Sequence, residues 1–448
     1  MTKNLTAGLP IKRILLFALP LLFGILFQQF YNIVDTVIVG QFLGVKALAG
    51  VGSTGSVNFM VLGFCNGLCS GFSIPVAKAF GARHDVVMRK DVANSIWLSA
   101  AFSLIITAFV CVFCRQILVA MKTPDDIFSY AYSYIFIIFA GIPFMVVYNL
   151  EAGILRALGD SRTPVVFLVL SSVLNIAADF LLICVFKMNV EGAAIATVFS
   201  QGVSGVLCFI HIKKRFTILK MNPGEMKPDR SCMTELCFSG IPMGLQYSVT
   251  AIGSLIIQTS MNGLGSNVVA GVTAAMKIHA FITSPLEALG STMAPFTGQN
   301  IGARKIDRIE KGTLAASVCG FAVSGVILLI VLLFSRQLVG IFLDEADEEV
   351  LFYASRYLIS TASFYCLLTL VFVVRFSIQG MGYSVVAILA GVMEMIARSI
   401  VGLFFAPRYG FAVLCFAHPL AWLLADLFLI PTFFICKKCV SRELLGDK

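Results

Sequence analysis

Acidic residues lie inside long apolar stretches of this chain, where a charge is costly. Asp35, Glu151 and Asp179 lie there in the first half of the 448 residues. A charged side chain at the middle of a bilayer costs about 2.5–3.5 kcal/mol even on a mild insertion scale. Such residues therefore need a partner, water or a function.

Four of the polar residues have types and spacing that could form an ion site. Asn175 and Asp179 are four residues apart and share one face of a helix. With Asp35 and Thr197 they would make an oxygen-rich pocket containing two carboxylates. Two carboxylates in a poorly hydrated site cannot both ionise at low cost, so the pair can hold a proton reversibly. The same oxygens suit Na⁺, by analogy with oxygen-ligated metals. These residue types do not distinguish H⁺ from Na⁺ as the bound ion. They also allow a purely structural interpretation, in which Asp35 lies at the membrane interface and Asp179 braces a helix.

A second group of side chains is predicted to line a substrate cavity. Aromatic faces attract cations, methionine adapts to varied shapes, and uncharged polar groups within apolar stretches face protein or water. The candidates are Gln28, Tyr31, Asn32, Met145, Tyr148, Asn149, Gln246, Tyr247 and Met276.

The second half carries its own buried charges. Glu394 and Arg398 are four apart, which favours a neutralised structural pair. His279 is interpreted as a packed or hydrogen-bonded residue, and Glu287 as a partner for Lys277 or His279. No HExxH, GxSxG or P-loop motif occurs, so we expect neither an enzyme nor a bound cofactor.

The elements that must position these residues are membrane helices. The chain is 58% hydrophobic and 13% charged, against about 25% charged in soluble proteins. A membrane span needs roughly 20 apolar residues. The pattern predicts an all-α integral membrane protein with twelve spans, near 14–36, 47–76, 93–114, 130–153, 164–186, 190–212, 236–260, 268–298, 313–334, 353–376, 384–406 and 410–436.

The chain also repeats itself with an offset of 221 residues. Gly81-Ala82-Arg83 recurs as Gly302-Ala303-Arg304, and Leu43-Gly44 recurs as Leu264-Gly265. We therefore predict two pseudo-symmetric six-helix bundles, an N-lobe (1–212) and a C-lobe (236–448), joined by a cytoplasmic linker (213–235). Six spans per half give both halves the same orientation, an arrangement typical of transporters with a site between lobes.

Lysine and arginine predict the orientation. Alternate gaps hold 23 of these residues against 6 in the others, which places both termini in the cytoplasm. The net charge of +9 is explained by this bias, so no nucleic-acid partner is expected. Pro20 lies inside the first span, where a proline promotes a kink and offers a bending point.

Several motifs resemble the multidrug and toxic compound extrusion (MATE) family, in particular its bacterial MepA-like branch. They are FYNIVD at 30–35, VGQFLG at 39–44, the two Gly-Ala-Arg loops, LGDSRTP at 158–164, LNIAAD at 174–179 and GAAIAT at 192–197. The resemblance covers nearly the whole chain. It implies export of varied, often cationic organic compounds, driven by inward Na⁺ or H⁺.

The resemblance also implies roles for residues. Asp35 and Asp179 would carry the coupling ion with Asn175 and Thr197 as partners, and the first helix would bend at Pro20. Some members use a glutamate on helix seven, where this chain has Gln246. The expected setting is a bacterial cytoplasmic membrane, with lipids and small organic substrates as partners and a monomeric protein without an obligate protein partner. The alternative is a flippase for a lipid-linked precursor, which convergence of Lys277, Arg375 and Arg398 would favour.

Overall fold

The computed structural model describes residues 4–340 and 348–445, and the regular elements within them are helices. The first half contains α1 (Pro10–Leu43), α2 (Val45–Ser53), α3 (Gly55–Gly81), α4 (Asp85–Val112), α5 (Cys114–Ala120), α6 (Asp125–Ala140), α7 (Ile142–Ala157), α8 (Arg162–Asp179) and α9 (Val190–Arg215). The second half contains α10 (Arg230–Asn262), α11 (Ser266–Gly302), α12 (Ile306–Gly340), α13 (Glu348–Ala362), α14 (Tyr365–Gly380), α15 (Ser384–Ile400), α16 (Ala406–Tyr409), α17 (Phe411–Leu414) and α18 (Ala417–Leu445).

The helices confirm the predicted membrane fold, with one correction. Ten helical stretches of the described chain are long and apolar enough to cross a bilayer, and two bent helix pairs bring the number to twelve. The correction concerns the predicted spans 130–153 and 353–376, each of which is a bent pair of helices and not one straight helix. The pair α6 and α7 bends by 48°, and the pair α13 and α14 by 52°.

The first of these bends has a local cause. Gly141 separates α6 from α7, and Pro143 lies in the first turn of α7. A Cβ atom at Gly141 would lie 2.2 Å from Val198 Cγ2 on α9. Only glycine permits this close approach, so the break occurs where the chain passes tightly against α9.

Two π-helical turns extend the internal repeat. One (Phe180–Val185) follows α8 and the other (Val401–Phe405) follows α15, at the same offset of 221 residues. Such turns are rare and occur frequently at functional sites. The sequence motifs did not predict them.

By packing, the described chain divides into two compact units. Unit 1 is formed by residue 4 together with residues 23–247, and unit 2 by residues 5–22, 248–340 and 348–445. Both α1 and α10 therefore contribute to both units. The lobes predicted from the repeat stay a prediction.

Small residues explain why the first part of α10 belongs to unit 1. A Cβ atom at Gly67 of α3 would lie 2.4 Å from the Met243 carbonyl oxygen, and one at Gly71 would lie 2.4 Å from Gly240 Cα. The two backbones thus meet directly, as small residues allow in membrane helices. Leu236 and Met243 are buried at this contact.

Candidate functional site

The structure brings the two predicted coupling acids together in unit 1. Asp35 lies in α1, and Asp179 is the last residue of α8. Their carboxyl groups lie within hydrogen-bonding reach of each other. Asp179 is 0% exposed and Asp35 is half-buried. Two carboxyl groups that are this close and poorly hydrated require a proton or a cation between them.

Asn175 and Thr197 complete the predicted cluster. Asn175 Nδ2 donates to Thr197 Oγ1 at 3.4 Å, and Thr197 Oγ1 donates to the Ala193 carbonyl at 3.1 Å. Asn175 is 2% exposed. The side chains of α8 and α9 therefore meet one helical turn from Asp179, and the role of these residues in ion binding stays a prediction.

Four oxygen atoms of this cluster have no hydrogen-bond donor among the described residues. They are Asp35 Oδ1, both Asp179 carboxylate oxygens and Asn175 Oδ1, and all are buried. Buried polar atoms are normally paired, so each unpaired one indicates a missing partner. Oxygen ligands are those that hard cations prefer. These four oxygen atoms fit either a proton shared by the two acids or a bound Na⁺.

Local structure accounts for the position of this cluster. The α-helix α8 ends at Asp179 and continues as the π-helical turn. The start of α9 is made of Gly192, Ala193 and Ala194, and all three are buried. These small residues let α9 approach the end of α8, which places Thr197 beside Asn175.

Sequence reasoning missed one residue of the site, Tyr134. It lies on α6, is 7% exposed, and faces Asp35, Asp179 and Tyr31 closely enough to interact electrostatically. Tyr31 in turn hydrogen-bonds with Gln28 and lies near Asp35. The predicted span containing Tyr134 is rich in aromatic residues, so no sequence signal separated this tyrosine from its neighbours.

The predicted substrate-cavity residues fall into three groups by exposure. Gln28 and Asn32 are exposed; Tyr31, Asn149, Tyr247 and Met276 are half-buried; Met145, Tyr148 and Gln246 are buried. All except Met276 belong to unit 1.

Two of the buried members have packing roles in unit 1. Met145 belongs to its apolar core. The Tyr148 hydroxyl donates to the Pro164 carbonyl at 2.8 Å. The assignment of the nine residues to a substrate cavity stays a prediction.

Pro20 lies inside α1, in the part of that helix that belongs to unit 2. The division between the units falls two residues after it. A proline leaves the helix without one hydrogen bond at this point. Bending at Pro20 stays a prediction.

The buried charges of unit 2 are arranged differently from the acids of unit 1. The predicted pair of Glu394 and Arg398 is confirmed, with a distance of 2.8 Å. Arg375 also forms an ion pair with Glu394, which the sequence did not predict.

His279 and the two charged residues near it in sequence have distinct environments. His279 is hydrogen-bonded with the Tyr365 hydroxyl at 2.7 Å and stacks on Trp422, as predicted for a packed histidine. Lys277 and Glu287 are exposed on α11. Across residues 4–340 and 348–445, Glu287 forms no ion pair with Lys277 or His279, so that predicted pairing is wrong.

Comparison with known proteins agrees with this architecture. A family model described as MatE matches residues 20–181 and 242–407. The probable multidrug resistance protein YoeA of Bacillus subtilis is 28% identical over 79% of this chain and 77% of its own length. The multidrug export protein MepA of Staphylococcus saprophyticus is 24% identical over 75% of this chain and 74% of its own.

A solved structure shows the same fold. The crystal structure of a MATE protein in complex with MaL6 matches with a TM-score of 0.91 at 23% identity, covering 99% of this chain and 100% of that one. The family model matches once in each half of the repeat, and its two matches together include most of α1 and the whole of α8 and α15. The chain therefore belongs to the MATE family of multidrug and toxic compound extrusion transporters, as its motifs indicated.

Proposed function

We propose that this protein is a cation-coupled antiporter that exports varied, often cationic organic compounds by alternating access, with H⁺ or Na⁺ as the coupling ion. The observation that carries the proposal is the pair of Asp35 and Asp179, with buried oxygens that lack donors. Membership of a multidrug efflux family supports the substrate class.

The energetics of coupling are sufficient for an uncharged substrate. One monovalent cation crossing 100 mV releases about 2.3 kcal/mol. At about 1.4 kcal/mol for each factor of ten, this sustains a roughly fifty-fold substrate gradient. A cationic drug leaving in one-for-one exchange cancels the electrical contribution. The coupling ion's concentration gradient, or a second ion, must then drive export.

We place the protein in a bacterial cytoplasmic membrane with both termini inside. The bias of 23 against 6 basic residues between alternate gaps supports this orientation. Reporter fusions to residues 122 and 220 test it, because these positions are predicted to lie on opposite sides.

A flippase for a lipid-linked precursor is not favoured. That function needs free cationic side chains for a phosphate group. Arg375 and Arg398 are both buried and ion-paired with Glu394, which leaves Lys277 as the exposed member of the three. The carboxyl-rich cluster of unit 1 would repel a phosphate.

Efflux of ethidium from vesicles containing the purified protein tests the proposal. Na⁺ and pH gradients are imposed separately, so that the gradient that drives efflux identifies the coupling ion. We expect Asp35→Asn and Asp179→Asn each to abolish gradient-driven efflux while the protein remains folded and inserted. The matched control is Asp125→Asn, which changes an exposed aspartate at the start of α6. Wild-type efflux in both site variants would refute the coupling site.

A further inference from the structure

Unit 2 contains a cluster of four buried charged residues from three helices. They are Arg375 on α14, Glu394 and Arg398 on α15, and Asp426 on α18, each 3–4% exposed. Glu394 accepts from Arg375 Nη2 on one oxygen and from Arg398 Nη2 on the other. The Nε atoms of both arginines are buried and have no acceptor among the described residues.

Asp426 is the unpaired member of this cluster. Both of its carboxylate oxygens are buried and have no hydrogen-bond donor among the described residues. Arg375 and Glu394 are the charged groups that act on it most directly. An ionised carboxylate without a donor is strongly unfavourable at such a position. A proton on Asp426 removes this cost in the arrangement of side chains that the structure describes.

The net charge of the cluster depends on whether Asp426 carries a proton. With Asp426 protonated, two guanidinium groups face one carboxylate and the cluster carries one positive charge. With Asp426 ionised, the four charges cancel. Arg375 lies within electrostatic range of Asp426, and its Nε has no acceptor among the described residues. It is therefore the group that we expect to turn towards Asp426 and donate to it when the proton leaves. The proton and the Arg375 guanidinium are thus alternative partners of the same carboxylate.

We propose that Asp426 is a second ion-binding site of this transporter, that it takes a proton, and that it releases the proton to solvent when Arg375 donates to its carboxylate. The site adds one proton to each transport cycle. Its role in transport rests on the proposed antiport function, whereas proton binding itself is a property of unit 2.

The surroundings favour a proton over a metal cation. A proton binds to a single carboxylate oxygen, whereas a hard metal cation needs several oxygen ligands, and both Glu394 oxygens already accept from Arg375 and Arg398. The cluster in unit 1 differs, because the residues that face Asp35 and Asp179 there are Asn175, Thr197 and Tyr134. At the repeat offset, Glu394 and Arg398 correspond to Val173 and Ala177 of α8. The two halves therefore use equivalent helices to build different ion sites.

The groups that can influence Asp426 come from every helix packed around it. Arg375 faces it from α14, and Glu394 and Arg398 lie on α15. His418 lies on α18 itself, and His279 of α11 stacks on Trp422, four residues before Asp426. Both histidines lie within electrostatic range of Arg398. A test must therefore separate the carboxyl group from the imidazoles.

Infrared difference spectroscopy makes this separation, because a protonated carboxylic acid has its own C=O stretching band. We use the full-length protein carrying Asp35→Asn and Asp179→Asn, which removes the two proposed coupling acids of unit 1. We expect a carboxylic acid band that decreases as pH rises, that Asp426→Asn removes, and that Asp426→Glu retains at a shifted frequency. Identical spectra for the parent and Asp426→Asn would overturn the inference. If Asp426→Asn fails to fold, Asp426→Glu decides the test. A shift in the frequency of the band supports the inference, and an unshifted band contradicts it.

Transport provides an independent measurement. In vesicles with a pH gradient of one unit, loss of one coupled proton lowers steady-state ethidium accumulation by about tenfold. We expect this decrease in Asp426→Asn with Asp35 and Asp179 intact, and unchanged accumulation would contradict the added proton. Failure of the inference is distinguishable from failure of the proposed function. If Asp35→Asn and Asp179→Asn abolish efflux but no Asp426 band is found, only the proton site at Asp426 is rejected. If the Asp426 band is found but those two variants have normal efflux, only the proposed coupling site in unit 1 is rejected.

Discussion

Arg89 on α4 forms an ion pair with two hydrogen bonds to Glu225, which lies in the segment that joins the two halves of the chain. Arg89 Nε and Nη2 donate to the two Glu225 carboxylate oxygens at 2.9 and 2.8 Å. Trp97 Nε1 also donates to the Met226 carbonyl, and Asn94 Oδ1 accepts from the Asp229 amide. The connection between α9 and α10 is therefore fixed along α4.

The segment before α1 is held in a related way within unit 2. Arg308 donates to the Leu5 and Gly8 carbonyls, and Lys305 Nζ donates to the Thr6 carbonyl at 2.8 Å. Each half of the repeat is thus preceded by a segment that packs in the unit built mainly from the other half. The division of α1 and α10 between the units follows from this exchange.

Removing the Arg89 guanidinium should release the connecting segment. In Arg89→Gln the Glu225 carboxylate loses both guanidinium donors and retains the Asn222 amide, so we expect limited proteolysis within residues 216–229 to become severalfold faster. Lys90→Gln is the matched control, because Lys90 is exposed and its change leaves the ion pair intact. Equal cleavage rates in the two variants would show that the pair does not hold the segment.

The same pair predicts a pH dependence. Hydrogen bonds from the Arg89 guanidinium and from the Asn222 amide lower the pKa of Glu225 from 4.5 to about 2. The stabilisation from a depressed carboxyl pKa is fully present above the unfolded value and is lost as pH falls through the folded value. The difference in melting temperature between wild type and Glu225→Gln should therefore be constant above about pH 5 and shrink between pH 4.5 and 2. A difference that stays constant down to pH 2 would contradict this linkage.

Loss of Arg308 should free the segment before α1. In Arg308→Gln the bonds to the Leu5 and Gly8 carbonyls are lost or weakened, and we expect a spin label at residue 4 to become more mobile. Lys311→Gln serves as control, since it changes an exposed cation one turn further along α12. If the label has the same mobility in both variants, Arg308 does not fix this segment.

The Tyr134 hydroxyl should contribute to ion binding in unit 1. Tyr134 lies within electrostatic range of both acids, and we expect its hydroxyl to donate to one of them when the ion is bound. A hydrogen bond to a charged group contributes about 1.5–3 kcal/mol, so Tyr134→Phe should weaken the apparent affinity for the coupling ion by about tenfold or more. The measurement is the ion dependence of ethidium efflux. Tyr132→Phe is the control, since Tyr132 is exposed on the same helix and stacks on Phe136. An unchanged ion dependence in Tyr134→Phe would remove this tyrosine from the site.

The close contact of α3 with α10 predicts a steric effect. Gly67→Ala places a Cβ atom 2.4 Å from the Met243 carbonyl oxygen, so the helices must separate. Overpacking of this kind costs about 1–3 kcal/mol, which a lower melting temperature in detergent would report. Gly55→Ala has no atom within 4 Å of the new Cβ and should retain the wild-type value.

The sequence predicted much of the fold and part of the site. Apolar length predicted the spans, because burial in lipid depends on local composition. The four-residue spacing of Asn175 and Asp179 predicted a shared helix face, and the structure places Asn175 against Thr197 and Asp179 against Asp35. The pairing of Glu394 with Arg398 was predicted for the same reason, since one helical turn relates the two residues.

What the sequence by itself determined were properties of single helices: their length, their polar faces and their repetition at 221 residues. Contacts between helices were decided only by the tertiary structure. Tyr134 reaches the acids from α6, Arg375 reaches Glu394 from α14, and Glu225 reaches Arg89 from 136 residues away. No periodicity encodes such contacts, because they depend on how separate helices pack in three dimensions.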